Sequence, residues 1–139
     1  MTQPRLVLAS GSPRRRALLE QIGLQFEVRV TDVDESVLPG ESPQTYVERL
    51  AAAKAQAGFR RGSVTLGADT TVAINDEILG KPCGLKEGVG MLLRLSGRAH
   101  EVHTGIAVYD GERLESKVVT TTVYFRSINE AEARRYWYT

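Results

Sequence analysis

A mixed α/β domain is the fold class this sequence predicts, and three observations predict it. Apolar runs of strand length, such as residues 6–9 (Leu-Val-Leu-Ala) and 64–68 (Val-Thr-Leu-Gly-Ala), alternate with longer segments whose apolar residues recur at helical spacing. Two Ser-Pro steps, Ser12-Pro13 and Ser42-Pro43, stand where helical segments begin. Serine is a good N-cap, and proline suits the first helical position because its missing N–H has no partner there anyway. Two β-rich runs, 103–109 and 114–125, are joined through Asp110-Gly111, which is a hairpin signal. At 139 residues, 42% hydrophobic and 25% charged, the chain has the make-up of one globular domain, 1–139, or of two lobes around one cleft.

Composition excludes several classes of function. A net charge of +1 gives no global field for nucleic acid, although Arg5, Arg14, Arg15 and Arg16 all precede the first acid, Glu20. RNA binding therefore ranks behind a small phosphorylated ligand. One cysteine, Cys83, excludes an intrachain disulfide, and with two histidines there is no Cys/His zinc pattern. No apolar run approaches the ~20 residues of a spanning helix, and the N-terminus lacks a signal-peptide core. The expected setting is cytoplasmic, away from membranes.

The first strand runs through Ser10-Gly11 into a helix that opens at Pro13. Helix N–H groups and the positive end of the helix dipole face that turn, and three arginines in the first turn repel the dipole unless an anion is present. Arg15 lies three, four and seven residues before Leu18, Leu19 and Ile22, so it continues the stripe expected to pack inward. A planar fork of donors there suits bidentate phosphate contact. The turn has neither the Walker spacing nor the Gly-x-Gly-x-x-Gly fingerprint.

Gly23 ends the first helix, and residues 26–30 alternate apolar with charged, which predicts a half-buried strand. An acidic loop follows, with Asp32, Asp34, Glu35 and Glu41 before or just after the Pro39-Gly40 turn. It is either a solvated loop or a source of one carboxylate for a hard divalent cation. The helix from Pro43 to about Ala57, with Gly58 as its stop, turns Val47, Leu50, Ala51 and then Lys54 to one side. Lys54 either snorkels or adds a second cation to the cleft of Arg15. Asp69 interrupts the apolar runs 64–68 and 72–74, where it either caps a turn or serves as general base or metal ligand, since an unpaired carboxylate is costly to bury.

Asn75-Asp76 marks a turn, and Lys81 in Gly80-Lys81-Pro82 carries no assignment by itself. Residues 85–95 predict a helix weakened by Gly88 and Gly90. His100 and His103, three apart at the start of a strand, point to opposite faces and are expected to be structural. Ser127-Ile128-Asn129-Glu130 is expected to form a capping box before a last helix that ends in Tyr136, Trp137 and Tyr138.

The ordered set Leu8-Ala9-Ser10-Gly11-Ser12-Pro13-Arg14-Arg15, Asp34-Glu35, Lys54, Gly67-Ala68-Asp69-Thr70, Gly80-Lys81-Pro82 and Leu95-Ser96-Gly97 resembles the Maf family of nucleotide pyrophosphatases. The resemblance spans nearly the whole chain. It implies a two-lobed mixed α/β fold around a central cleft, similar to that of the inosine triphosphate pyrophosphatases. It also implies hydrolysis of a nucleoside triphosphate to the monophosphate and pyrophosphate with Mg²⁺ or Mn²⁺. Position by position, Asp69 matches the general base, Ser10, Arg15, Lys54 and Lys81 the phosphate-contacting groups, and Glu35 the metal-associated acid. Arg14 and Thr70 resemble the branch acting on dTTP and UTP, a house-cleaning role; the alternative branch acts on 7-methyl-GTP.

Family members continue past the position of Thr139 into a segment resembling Asp-Lys-Ala-Gly-Ala-Tyr-Gly-Ile-Gln-Gly. The expectation is therefore a C-terminally truncated domain, either a fragment or an intact product lacking part of the site. A catalytically impaired nucleotide-binding or regulatory protein, related to septum formation, is the competing reading, and a homodimer stands beside the monomer as an expected state. Without the missing segment the three terminal aromatics and a strand edge are expected to be uncovered, which favours association.

Overall fold

Helix starts follow the local chemistry of the chain. Ser12 accepts a hydrogen bond from the Arg15 N–H and Ser42 one from the Thr45 N–H, each one residue ahead of a proline. A computed structural model describes residues 5–80 and 83–138. In chain order the elements are β1 (Arg5–Ala9), α1 (Pro13–Gln21), β2 (Glu27–Val28), α2 (Pro43–Ala57), β3 (Ser63–Ile74), β4 (Glu77–Leu79), α3 (Leu85–Leu95), β5 (Ala99–Tyr109), β6 (Leu114–Tyr124) and α4 (Glu130–Trp137).

All six strands join one sheet in the order β2-β1-β3-β5-β6, with β4 paired to β3. β1 runs parallel to both neighbours, and its register with β3 places Ala9 opposite Gly67. The mixed α/β class is thus met. The Asn75-Asp76 turn has φ values of 49° and 65°, as a tight two-residue hairpin requires, and joins β3 to antiparallel β4. No helix among the described residues is long and apolar enough to cross a membrane.

The chain forms two compact units. One is built from residues up to Thr70 with Thr104–Val119, the other from Thr71–His103 with the residues after Val119. In the first, Val47, Leu50, Ala51 and Ala55 of α2 are fully buried, as are Val7, Leu8 and Ala9 of β1. A Cβ on Gly67 would collide with the Ala51 carbonyl and the Ala55 nitrogen, and one on Gly105 with the Val47 carbonyl. Two strand positions therefore lack side chains so that the α2 backbone can lie directly on the sheet. In the second unit Ile74, Leu79 and Leu95 form the core, with Val72, Met91 and Phe125 against them. His100 packs edge-on to Phe125 at 4.8 Å, and the buried His103 lies 2.8 Å from the Thr120 hydroxyl through Nδ1. Both side chains are buried.

β2 covers only two residues, both exposed, in place of a half-buried strand over 26–30. β3 is continuous from Ser63 to Ile74 and passes through Asp69 with no break at residues 69–71. The capping box lies two residues later than expected: the Asn129 side chain caps the Glu132 N–H, and Glu132 returns a bond to Asn129. Of the terminal aromatics, Tyr136 and Tyr138 are exposed, whereas Trp137 is partly buried against Gly88, where any Cβ would strike its ring. Gly88 weakens α3 locally and makes room for α4.

Candidate active site

Ser10 ends the reach of β1, and its hydroxyl accepts from the Ser12 N–H, which pins the turn before α1. From the first turn of α1 the Arg15 guanidinium reaches back over the sheet. Its Nη1 donates to Ser10 Oγ at 3.4 Å and to the Ala68 carbonyl at 3.3 Å, and its Nη2 donates to Thr70 Oγ1 at 2.9 Å. The Thr70 and Thr104 hydroxyls, on β3 and β5, are 3.0 Å apart. Arg15 does point inward, but not on an apolar stripe: Leu18 is 55% and Ile22 69% exposed, and α1 buries no residue. Polar contacts with β3 aim the guanidinium.

One residue along β3 from Ala68, Asp69 is held by α2. Lys54 Nζ lies 2.9 Å from Asp69 Oδ1 and 3.1 Å from Glu35 Oε1. The Lys54 and Asp69 side chains are 15% and 10% exposed, and Glu35 44%. The carboxylate is paired in mid-strand, so it caps no turn. Burial, with the charges of Asp69 and Glu35 nearby, pushes the Tyr46 phenol above its ordinary range.

Two carboxylates share one ammonium, which leaves an excess negative charge and hard oxygen donors. No cluster of three metal-type side chains occurs among the described residues. The donor set nonetheless fits Mg²⁺ or Mn²⁺, since such ions are commonly held by one or two carboxylates together with substrate phosphates and water.

The structure therefore places Ser10, Arg15 and Thr70 in one hydrogen-bonded group and Lys54, Asp69 and Glu35 in another, and the two adjoin at residues 68–70 of β3 to form one set within the first unit. Arg14 is exposed, and its side chain makes no hydrogen bond or ion pair among the described residues. Lys81 lies outside the described residues. Thr104 and Tyr46 also belong to the set, and sequence reasoning missed both. A threonine in a β-rich run and a tyrosine on an amphipathic helix are ordinary choices there, so neither carries a signal.

A family model described as Maf-like protein matches residues 5–139. The chain belongs to the Maf family. Relatives in the family include the dTTP/UTP pyrophosphatase of Chromobacterium violaceum, 48% identical over 95% of this chain and 70% of that protein. The dTTP/UTP pyrophosphatase of Vibrio cholerae is 47% identical over 99% of this chain and 75% of its own length. That of Pseudoalteromonas atlantica is 44% identical over 96% and 73%. Among solved structures, the Ham1 protein of Staphylococcus aureus superposes with a TM-score of 0.56 at 18% identity, over 86% of this chain and 69% of that one. Protein VC0702 from Vibrio cholerae gives 0.51 at 7% identity, over 99% and 78%. At these identities the Maf chain shares the fold with both.

Proposed function

We propose that this Maf-family chain is a nucleoside triphosphate pyrophosphatase that cleaves dTTP and UTP to the monophosphate and pyrophosphate. The observation that carries the reading is the pairing of Asp69 with Lys54 beside the inward guanidinium of Arg15. The names of relatives 44–48% identical to the chain support the substrate class. Asp69 takes a proton from a water that attacks the α-phosphorus. The new P–O bond forms as the bond from that phosphorus to the bridging oxygen breaks, and pyrophosphate leaves with the electron pair. Lys54 orients the Asp69 carboxylate, and Arg15 and Ser10, with Arg14 and Lys81, bind the phosphates and stabilise the charge spreading over their oxygens. Bound Mg²⁺ or Mn²⁺, held by Glu35, would neutralise phosphate charge. Thr70 stands beside Arg15, where it faces the nucleotide.

Asp69→Asn is the test. Release of pyrophosphate from dTTP should fall roughly 10²–10⁴-fold, the usual loss when a general base is removed. A near-native rate would overturn the assignment. Calorimetric titration of the unaltered chain with dTTP, UTP and 7-methyl-GTP, beside turnover assays, ranks the substrates. Binding of dTTP without turnover would favour a regulatory nucleotide-binding protein instead.

A further inference from the structure

Glu35 sits in the stretch between β2 and α2, which has no regular secondary structure, yet its main chain is tied to α2 at two successive carbonyls. The Tyr46 hydroxyl donates to the Glu35 carbonyl at 2.6 Å, and Arg49 Nη2 donates to the Ser36 carbonyl at 2.8 Å. Arg49 is itself held by Glu41 through a bidentate pair, Nε to Oε2 at 2.7 Å and Nη2 to Oε1 at 2.9 Å. Glu41 Oε1 also accepts the Leu38 N–H at 3.0 Å. The Glu41 side chain is 4% exposed, and its hydrogen bond to Arg49 holds the carboxyl below the usual range. Within the loop, Asp34 Oδ1 takes both the N–H and the hydroxyl of Ser36.

One helix therefore supplies the partner of the Glu35 carboxylate, Lys54, and both anchors of the Glu35 backbone, Tyr46 and Arg49. A chemically ordinary solvated loop needs none of this. An acidic residue on an untethered loop would have to be ordered each time it met a cation, and that ordering would be subtracted from affinity. Tethering the carbonyls of Glu35 and Ser36 removes that loss in advance.

We infer that Tyr46, Arg49 and Glu41 form a clasp that pre-positions Glu35 for the divalent cation. They are positioning residues, acting only through Glu35. The inference rests on the proposed metal role of Glu35, and the following experiment separates the two. Mn²⁺ binding is measured by calorimetry on the full chain and on Glu35→Gln, Arg49→Met, Tyr46→Phe and the double variant E35Q/R49M. Thermal unfolding of each variant is recorded in parallel.

Arg49→Met should weaken Mn²⁺ binding about tenfold, the low end of the range for losing an outer-shell partner of a metal ligand. Tyr46→Phe, which removes one hydroxyl and keeps the ring, should weaken it less, and Arg49→Lys should recover part of the loss. The double variant should bind no worse than E35Q alone, because the clasp has nothing left to position. Unchanged Mn²⁺ affinity in R49M and Y46F, with E35Q weakened, overturns the clasp and leaves the metal role intact. An equal loss from R49M in both backgrounds also overturns it, since Arg49 would then act by another route. Unchanged affinity in E35Q overturns the metal role itself, and the clasp inference with it.

Discussion

The two units bury different kinds of polar group. In the first, an ammonium and two carboxylates are gathered at Lys54, with a guanidinium on the adjacent turn. In the second, the buried polar side chains among the described residues are two imidazoles, His100 and His103, and the hydroxyl of Thr71. Charge is expensive to desolvate and persists only where geometry pairs it, whereas an uncharged polar group costs less to bury. The first unit therefore spends precision on polar contacts, with α2 lowered onto Gly67 and Gly105, while the second is assembled by apolar fit, as at Trp137 over Gly88. Chemistry belongs with the first arrangement.

Removing one charge should expose the contrast most strongly. Lys54→Met leaves Asp69 and Glu35 unpaired beside each other and should destabilise the chain by about 3 kcal/mol at pH 7, the order expected for breaking a largely buried pair. Urea unfolding followed by far-UV circular dichroism measures it. A loss below about 0.5 kcal/mol would place the pair among exposed ones and erase the difference between the units.

Next in size are the two glycines that admit a close neighbour. Gly67→Ala and Gly88→Ala should each cost about 2 kcal/mol, within the range for overpacking a filled space. They should differ in consequence. Gly67→Ala displaces α2 and with it Lys54, so dTTP turnover should fall. Gly88→Ala should unseat Trp137, visible as a red shift in the fluorescence of the single tryptophan, and leave turnover unchanged. Equal effects of both on turnover would remove the functional difference between the units.

The smallest effect concerns acid. Burial lowers the pKa of His100, so the unfolded chain takes up that proton more readily than the folded one. Stability from this group is complete above the ordinary value of about 6.5 and is lost as pH falls below it, with a slope of at most about 1.4 kcal/mol per pH unit. Glu41 in the first unit is also lowered, by its Arg49 hydrogen bond, but its contribution is lost only as pH falls below the ordinary carboxylate range. Between pH 7 and 5.5 the second unit should thus weaken first. Hydrogen exchange by residue would record it, and His100→Leu should flatten the response.

Most element types and several borders were legible in the chain. Ser12-Pro13 and Ser42-Pro43 open helices, Gly23 and Gly58 follow them, and Asn75-Asp76 and Asp110-Gly111 turn the chain, because each such signal acts within about four residues of itself. The identities of Asp69, Lys54, Arg15 and Glu35 were legible too, from charge in apolar company and from the family pattern. Their geometry was not. That Asp69 lies mid-strand, that Arg15 is aimed by Ala68 and Thr70 instead of by an apolar stripe, and that Glu35 is fastened by Tyr46 and Arg49 depend on partners 15, 53 and 55 residues away for the first two and 11 and 13 for the last. Trp137 over Gly88 is of the same kind. Local propensity carries no information at those separations; only the docking of α2 on β3, and of α4 on α3, decides which side chains meet.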